Sequence, residues 1–161
     1  MSVKPMDREM IWRLPQLQNL FALTKQLGLD QVLWEICGGI PLLYVYVYRS
    51  FTYAKDSSQR AELIEERLMY LLKRDHCHTR EAVWNNPELG TIFAMIKKDG
   101  KADLNACSVT HPFQVPDYVL LKLGRTVYPF RPTMAFILKH NLESSSDLPP
   151  FSEIKKLAEQ K

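Results

Sequence analysis

Residues 34–48 read Trp34-Glu35-Ile36-Cys37-Gly38-Gly39-Ile40-Pro41-Leu42-Leu43-Tyr44-Val45-Tyr46-Val47-Tyr48. Two glycines break the chain sharply. Pro41 follows where a helix can begin, because its missing N–H is one of the donors a helix start leaves unpaired anyway. The run after it has two readings. Its β-branched and aromatic residues favour a strand. Its apolar character on both faces suits a buried helix. Pro41 and the helices on either side favour a helix through about Tyr53.

Upstream, Leu17, Leu20, Phe21, Thr24 and Leu27 fall on one face of a helix over 15–29. Gly28 supplies its stop, since glycine tolerates the left-handed conformation past a helix end. Asp30, a good N-cap, opens a second helix to about Cys37, with Val32, Leu33 and Ile36 inward. Downstream, Ser57 or Ser58 caps a helix over 57–74, and Lys73 and Arg74 end it as the dipole prefers. Asp75-His76-Cys77-His78 reads as a loop. Thr79 caps a short helix carrying Ala82, Val83 and Trp84. Asn85-Asn86-Pro87 is turn chemistry and marks a boundary.

Past the boundary, Leu89, Ile92, Phe93 and Ile96 form another helical face, stopping at Asp99-Gly100. Ala102 to Cys107 and Pro116 to Leu123 read as two further short helices. His111-Pro112-Phe113 between them is extended, because a residue before proline avoids the α region. Residues 125–130 read as a short strand or pair of strands. Arg131-Pro132 opens a helix through Leu138. The resulting expectation is a mainly α chain in three parts. Residues 1–86 make a helical, lid-like subdomain. Residues 87–143 make a winged-helix-like subdomain with a short β wing. Residues 144–161 make a linker and a polar helical tail with little to bury.

Composition narrows the classes. The chain has 161 residues, 46% of them apolar and 24% charged, ordinary for a globular protein. A chain of this size hides roughly 70% of its extended surface and needs no disulfide or metal staple. The net charge of +3 is too mild to argue nucleic-acid binding by itself. Cys37, Cys77 and Cys107, odd in number and widely spaced, are no disulfide framework. They suit a reducing compartment, so an intracellular, cytoplasmic setting is expected. Asp7, Arg8, Glu9 and Arg13 interrupt any signal-peptide run. The most apolar stretch, Ile40 to Tyr48, falls short of the ~20 residues a membrane span needs, so no membrane partner is expected.

The order of segments and two motifs carry a resemblance. Trp34 to Pro41 resembles the Gly-Gly-x-Pro lid motif of STAND-class AAA-type ATPases, the archaeal-ATPase and crinkler-like branches included. Tyr128-Pro129-Phe130-Arg131-Pro132-Thr133-Met134 resembles the end of the winged helix that follows the lid in those proteins. The likeness covers roughly residues 12–142. It implies that Gly38, Gly39 and Pro41 face a nucleotide near the adenine. A helix–helix corner without a ligand is the competing reading of the same residues, and the better supported one. No Gly-x4-Gly-Lys-Ser/Thr phosphate loop is present in the sequence. Such a loop cradles phosphates with backbone N–H groups, a lysine and a hydroxyl. ATP hydrolysis by this chain alone is therefore not expected. No cofactor is expected, and the partner is a protein or a separate ATPase domain.

Asp75, His76, Cys77 and His78, with Cys107 and His111, lack the spacing of a zinc site, and no metal is expected. Cys37 ends a helix, where the dipole disfavours a thiolate, and reads as a small buried hydrophobe. Tyr44, Tyr46, Tyr48 and Tyr53 suit base stacking but, interleaved with valines, read better as core. No nucleophile elbow, zinc-protease helix or dinucleotide fingerprint occurs. The expectation is a non-enzymatic regulatory or protein-interaction module. The alternative is a winged-helix DNA-binding protein. Lys97, Lys98, Lys101, Lys122 and Arg125 would then touch phosphates, giving weak, salt-sensitive binding. Its recognition helix, Asp117 to Leu123, offers one basic residue and little to read bases with.

Overall fold

The computed structural model describes residues 6–105 and 120–160. Its helices are α1 (Arg8–Trp12), α2 (Gln18–Leu27), α3 (Asp30–Cys37), α4 (Pro41–Tyr48), α5 (Ser57–Asn85), α6 (Leu89–Asp99), α7 (Pro132–Lys139) and α8 (Phe151–Glu159). The strands are β1 (Ala102–Asp103), β2 (Leu120–Leu123) and β3 (Thr126–Pro129). The chain is mainly helical with one small antiparallel sheet. It forms two compact units, one of residues 1–71 with 149–161 and one of residues 72–148. The division falls inside α5. Residues 72–86, expected with the first subdomain, thus belong with the second unit, and α8 belongs with the first.

The first unit packs α2, α3, α4 and the first half of α5 around Leu20, Leu33, Ile36, Tyr44, Ile64 and Leu68, all at most 1% exposed. Gly28 closes α2 with φ +71°. Asp30 is the first residue of α3 rather than its cap, and its carboxylate lies 3.9 Å from Arg8 Nη2. The run after Pro41 is a helix. Ile40 is extended before it, and Leu43 N–H donates to Ile40 O at 3.1 Å. Tyr44 and Val47 are buried on one side while Leu42 is 76% exposed on the other. Packing and the proline start override the strand propensity of Val45 and Val47. A 3₁₀ turn, Arg49–Tyr53, follows. The cap of α5 is Asp56, whose Oδ1 accepts from Gln59 N–H at 2.8 Å.

The loop expected at 75–78 is absent, and α5 runs through it unbroken. Asp, His and Thr disfavour helix interiors because their side chains compete for local backbone groups. Here each is otherwise engaged. Asp75 is held by Arg131 and Thr133, His76 reaches the carbonyls of Leu142 and Ser145, and Thr79 donates to Asp75 O at 2.6 Å.

The second unit buries Leu89, Ile92 and Phe93 of α6 against Leu120 and Val127 of the sheet and Met134 of α7. The strand order is β1-β3-β2, with Ala102 opposite Val127 and Lys122 opposite the same residue. Two helical expectations are overturned. Residues 102–103 are strand: Gly100 ends α6 at φ +77°, and Ala102 is then fully buried in the sheet. Residues 120–123 are strand too. Gly124, at φ +65°, does not cap a helix but turns a two-residue hairpin between Leu123 and Thr126. A left-handed glycine serves either purpose. The remainder of those stretches, the extended reading of His111-Pro112-Phe113, and Cys107 and Asp117 lie outside the described residues.

The polar tail is also corrected. α8 seats Ile154 and Ala158, 0% and 1% exposed, against α3. Four residues apart, they share one helix face.

Candidate functional site

The Gly-Gly-x-Pro corner lies in the first unit. Gly38 has φ +56° and ψ −137°, a conformation essentially confined to glycine. Its N–H donates to Trp34 O at 2.7 Å, and its carbonyl accepts from the Tyr44 hydroxyl at 2.6 Å. Gly39 O accepts from Met6 N–H at 2.9 Å. Both glycines are buried, and Pro41 is half-buried at the first turn of α4. Trp12 stacks on Phe21 with centroids 4.6 Å apart, and Tyr44 meets both edge-on. The glycines let backbone come close, and what comes close is the chain's own tyrosine and N-terminal segment. Burial pushes the Tyr44 hydroxyl far above the usual tyrosine range, with the neighbouring Cys37 adding to it. Burial alone drives the Cys37 thiol up, which suits an inert hydrophobe and not a nucleophile. Tyr46 lies under the Arg67 guanidinium at 4.5 Å, while Tyr53 is 73% exposed.

The five basic residues lie in the second unit and are not equivalent. Lys97 forms an ion pair with the Glu143 carboxylate. Lys98, Lys101, Lys122 and Arg125 are exposed and have no ion-pair partner among the described residues. Lys122 is on β2, Arg125 in the hairpin turn, and Lys101 immediately precedes β1. Leu104 N–H donates to Arg125 O at 2.8 Å, so β1's end lies beside that turn. Cationic side chains thus sit around one small sheet, and the recognition-helix reading fails at Leu120 to Leu123.

A polar centre that sequence reasoning missed lies at Asp75. Its side chain is fully buried. Arg131 Nη2 donates to Oδ1 at 2.9 Å, and Arg131 Nε lies 3.1 Å from both oxygens. Thr133 Oγ1 donates to Oδ2, and Arg74 Nε to Oδ1 at 3.2 Å. His78 Nδ1 is 3.9 Å from Oδ1. Burial pushes this carboxyl up, but the bonds from Arg131, Thr133 and Arg74 outweigh it and hold it below the usual carboxylate range. The centre ties α5 to the start of α7. Its signal was in the spacing. Leu68, Leu71, Leu72, Asp75, Thr79 and Ala82 continue one buried helical stripe.

About two and a half turns further along α5 stands Trp84, 87% exposed. It lines two shallow grooves, one with Arg80, Val83, Pro87 and Glu143, the other with His76, Cys77, Arg80, Glu81 and Ser146. His76 Nε2 lies 3.0 Å from both Leu142 O and Ser145 O. Both are acceptors, so this nitrogen carries the proton. Arg80 Nη1 donates to Glu143 O at 3.2 Å. These bonds fix the turn whose Glu143 and Ser146 line the grooves beside Trp84. No three His, Cys, Asp or Glu side chains among the described residues gather as metal ligands. His111 and Cys107 fall outside those residues. No protein family, curated protein or solved structure matches the chain.

Proposed function

We propose that the chain is a protein-interaction module of regulatory type, in keeping with its likeness to the lid and winged-helix end of a STAND-type ATPase. The observation that carries the reading is Trp84. A tryptophan presented almost whole to water, on a helix whose neighbouring turn is pinned by His76 and Arg80, forgoes burial of its large apolar ring. Tryptophan is among the residues most enriched where alanine substitution costs an interface most. The two grooves that Trp84 lines give a partner room to close on the ring.

Affinity capture from the source organism, with the full-length wild type and Trp84→Ser compared, tests this. Trp84→Ser is expected to keep its fold, with a stability change within about 0.5 kcal/mol, since the ring is exposed. It is expected to lose proteins that the wild type retains. An unchanged capture set with an intact fold would refute the assignment to Trp84.

A second reading has its own support in four exposed cations of the second unit: Lys122 on β2, Arg125 in the hairpin turn, Lys101 just before β1 and Lys98 near the end of α6. As a phosphate-contacting surface with four cations, it is expected to show a log–log salt slope no steeper than about −3.6. Lys122→Ala is expected to lower that slope by about 1 and Lys97→Ala to leave it unchanged, because Lys97 is engaged by Glu143. Anisotropy with a labelled duplex across a salt series reads both. A flat response removes the nucleic-acid reading.

A further inference from the structure

In the second unit, the end of α6, the end of β3 and one side of α7 line a half-enclosed pocket of about 270 Å³. Small residues leave the space. Gly100, the C-cap of α6, lines it without a side chain, and a Cβ placed there would meet nothing within 4 Å. Ala135 of α7 is short and exposed. Pro129, the last residue of β3, brings no backbone N–H to the wall. Ile96 and Leu138, 5% and 1% exposed, line the pocket and belong to the core of the unit. The apolar lining is therefore aliphatic, with no aromatic side chain in it.

Two lining residues carry charge, Lys97 and Lys139, and no acid joins them. Lys97 is engaged by Glu143. Lys139 is exposed and has no ion-pair partner among the described residues. It follows Ala135 by four positions and so shares its side of α7. Both lysines stand in the last turns of their helices, where a cation suits the dipole. The dipole accounts for a cation at a helix end. It does not account for an aliphatic hollow beside it.

We propose that this pocket binds a small amphiphilic carboxylate, an unbranched aliphatic acid whose chain lies against Ile96, Ala135 and Leu138 and whose carboxylate meets the Lys139 ammonium. An apolar cavity of about 150 Å³ holds one benzene. By proportion, a pocket of about 270 Å³ holds about ten non-hydrogen atoms, the size of octanoate. Placing an alkyl chain in a poorly hydrated apolar pocket is favourable. The carbonyls at the two helix ends oppose an anion, but more weakly than a charge-assisted hydrogen bond attracts it. None of the lining residues lines the grooves at Trp84, so this site is separate from that one.

The probe is octanoate, titrated into the full chain and followed by amide chemical shifts in heteronuclear NMR. Saturable shifts are expected at residues 96–100 and 135–139. Octan-1-ol has the chain without the charge and is expected to bind at least about 10-fold more weakly, the worth of a hydrogen bond to a charged group. Acetate has the charge without the chain and is expected to give no saturable shift. Lys139→Gln, at an exposed position, is expected to weaken octanoate about 10-fold and leave octan-1-ol unchanged. Ala135→Leu fills the pocket from an exposed helical position that leucine suits. It is expected to abolish binding of both probes with the remaining amide shifts of the fold unchanged. Equal affinity for octanoate and octan-1-ol would overturn the proposal. So would octanoate shifts that survive Ala135→Leu, or the absence of any saturable shift.

Discussion

Asp75→Ala is expected to destabilise the second unit by about 3–5 kcal/mol, the cost of removing one partner from a buried ion pair. The carboxylate accepts from Arg131, Thr133 and Arg74. Without it, the Arg131 guanidinium, 22% exposed, keeps its charge in a place that was shaped around the lost anion. A loss of this size is a large share of the stability of a small unit. The double variant Asp75→Leu with Arg131→Leu is expected to recover much of it, because an apolar pair of similar volume carries no desolvation penalty. The depressed carboxyl also fixes a pH dependence. A carboxyl whose folded pKa lies below its unfolded value of about 3.9 contributes in full above that value. The contribution is lost as pH falls through the lower folded pKa. The wild type is therefore expected to weaken below about pH 4, and Asp75→Asn to show a flatter acid limb. Hydrogen exchange at amides of α6 and α7, followed against urea and pH, reads the second unit specifically. A loss under about 1 kcal/mol in Asp75→Ala would show that Arg131 finds water as readily as it found the carboxylate.

Asp75 also shows where sequence reading ran out. The stripe through Leu68, Leu71 and Leu72 continues at Asp75, Thr79 and Ala82, but the polar residues look like a break when taken one at a time. Local propensity assigns Asp and His to a loop. What keeps the helix whole is a guanidinium 56 positions away in the chain, and no local signal reports it. The same limit governs Ala102 and Leu120 to Leu123. Their strand form depends on pairing with Val127 and its neighbours, and four residues of Leu-Leu-Lys-Leu carry little period of their own. Gly124 announced a left-handed turn without saying whether a helix or a strand led into it. α8 was undervalued for a related reason. Two buried positions in nine look polar by composition, yet spaced four apart they make a face. By contrast, α2, α3 and α6 were legible, since each carries a repeated apolar stripe and a glycine at its end. Among the site residues, the geometry of the Gly38 corner was legible as a sharp break. The exposure of Trp84 was not, because an indole reads as core wherever a helix is expected.

At that corner the largest expected effect comes from Tyr44→Ala, about 3–5 kcal/mol, the usual cost of emptying a buried aromatic site. The ring is fully buried and meets Trp12 and Phe21 edge-on at 6.0 and 5.7 Å. Three variants separate its contributions. Tyr44→Phe keeps the ring and removes the hydroxyl that donates to Gly38 O at 2.6 Å. It leaves a buried carbonyl without its donor and is expected to cost about 1–3 kcal/mol. Gly38→Ala keeps the hydroxyl but forces a Cβ onto φ +56°, ψ −137°, at about 1–3 kcal/mol of backbone strain. The two act on one contact, since strain at Gly38 moves the very carbonyl that Tyr44 holds. Their combination is therefore expected to cost less than the sum. Urea unfolding followed by the fluorescence of Trp12 and Trp34 reads the series, because Trp12 touches Tyr44 directly and Trp34 lies 6.1 Å from Trp12. Strict additivity would mean that the hydroxyl and the glycine geometry are independent features that happen to meet. A shortfall of 0.5 kcal/mol or more would make the tyrosine the reason this corner requires its first glycine, with no ligand needed to explain it.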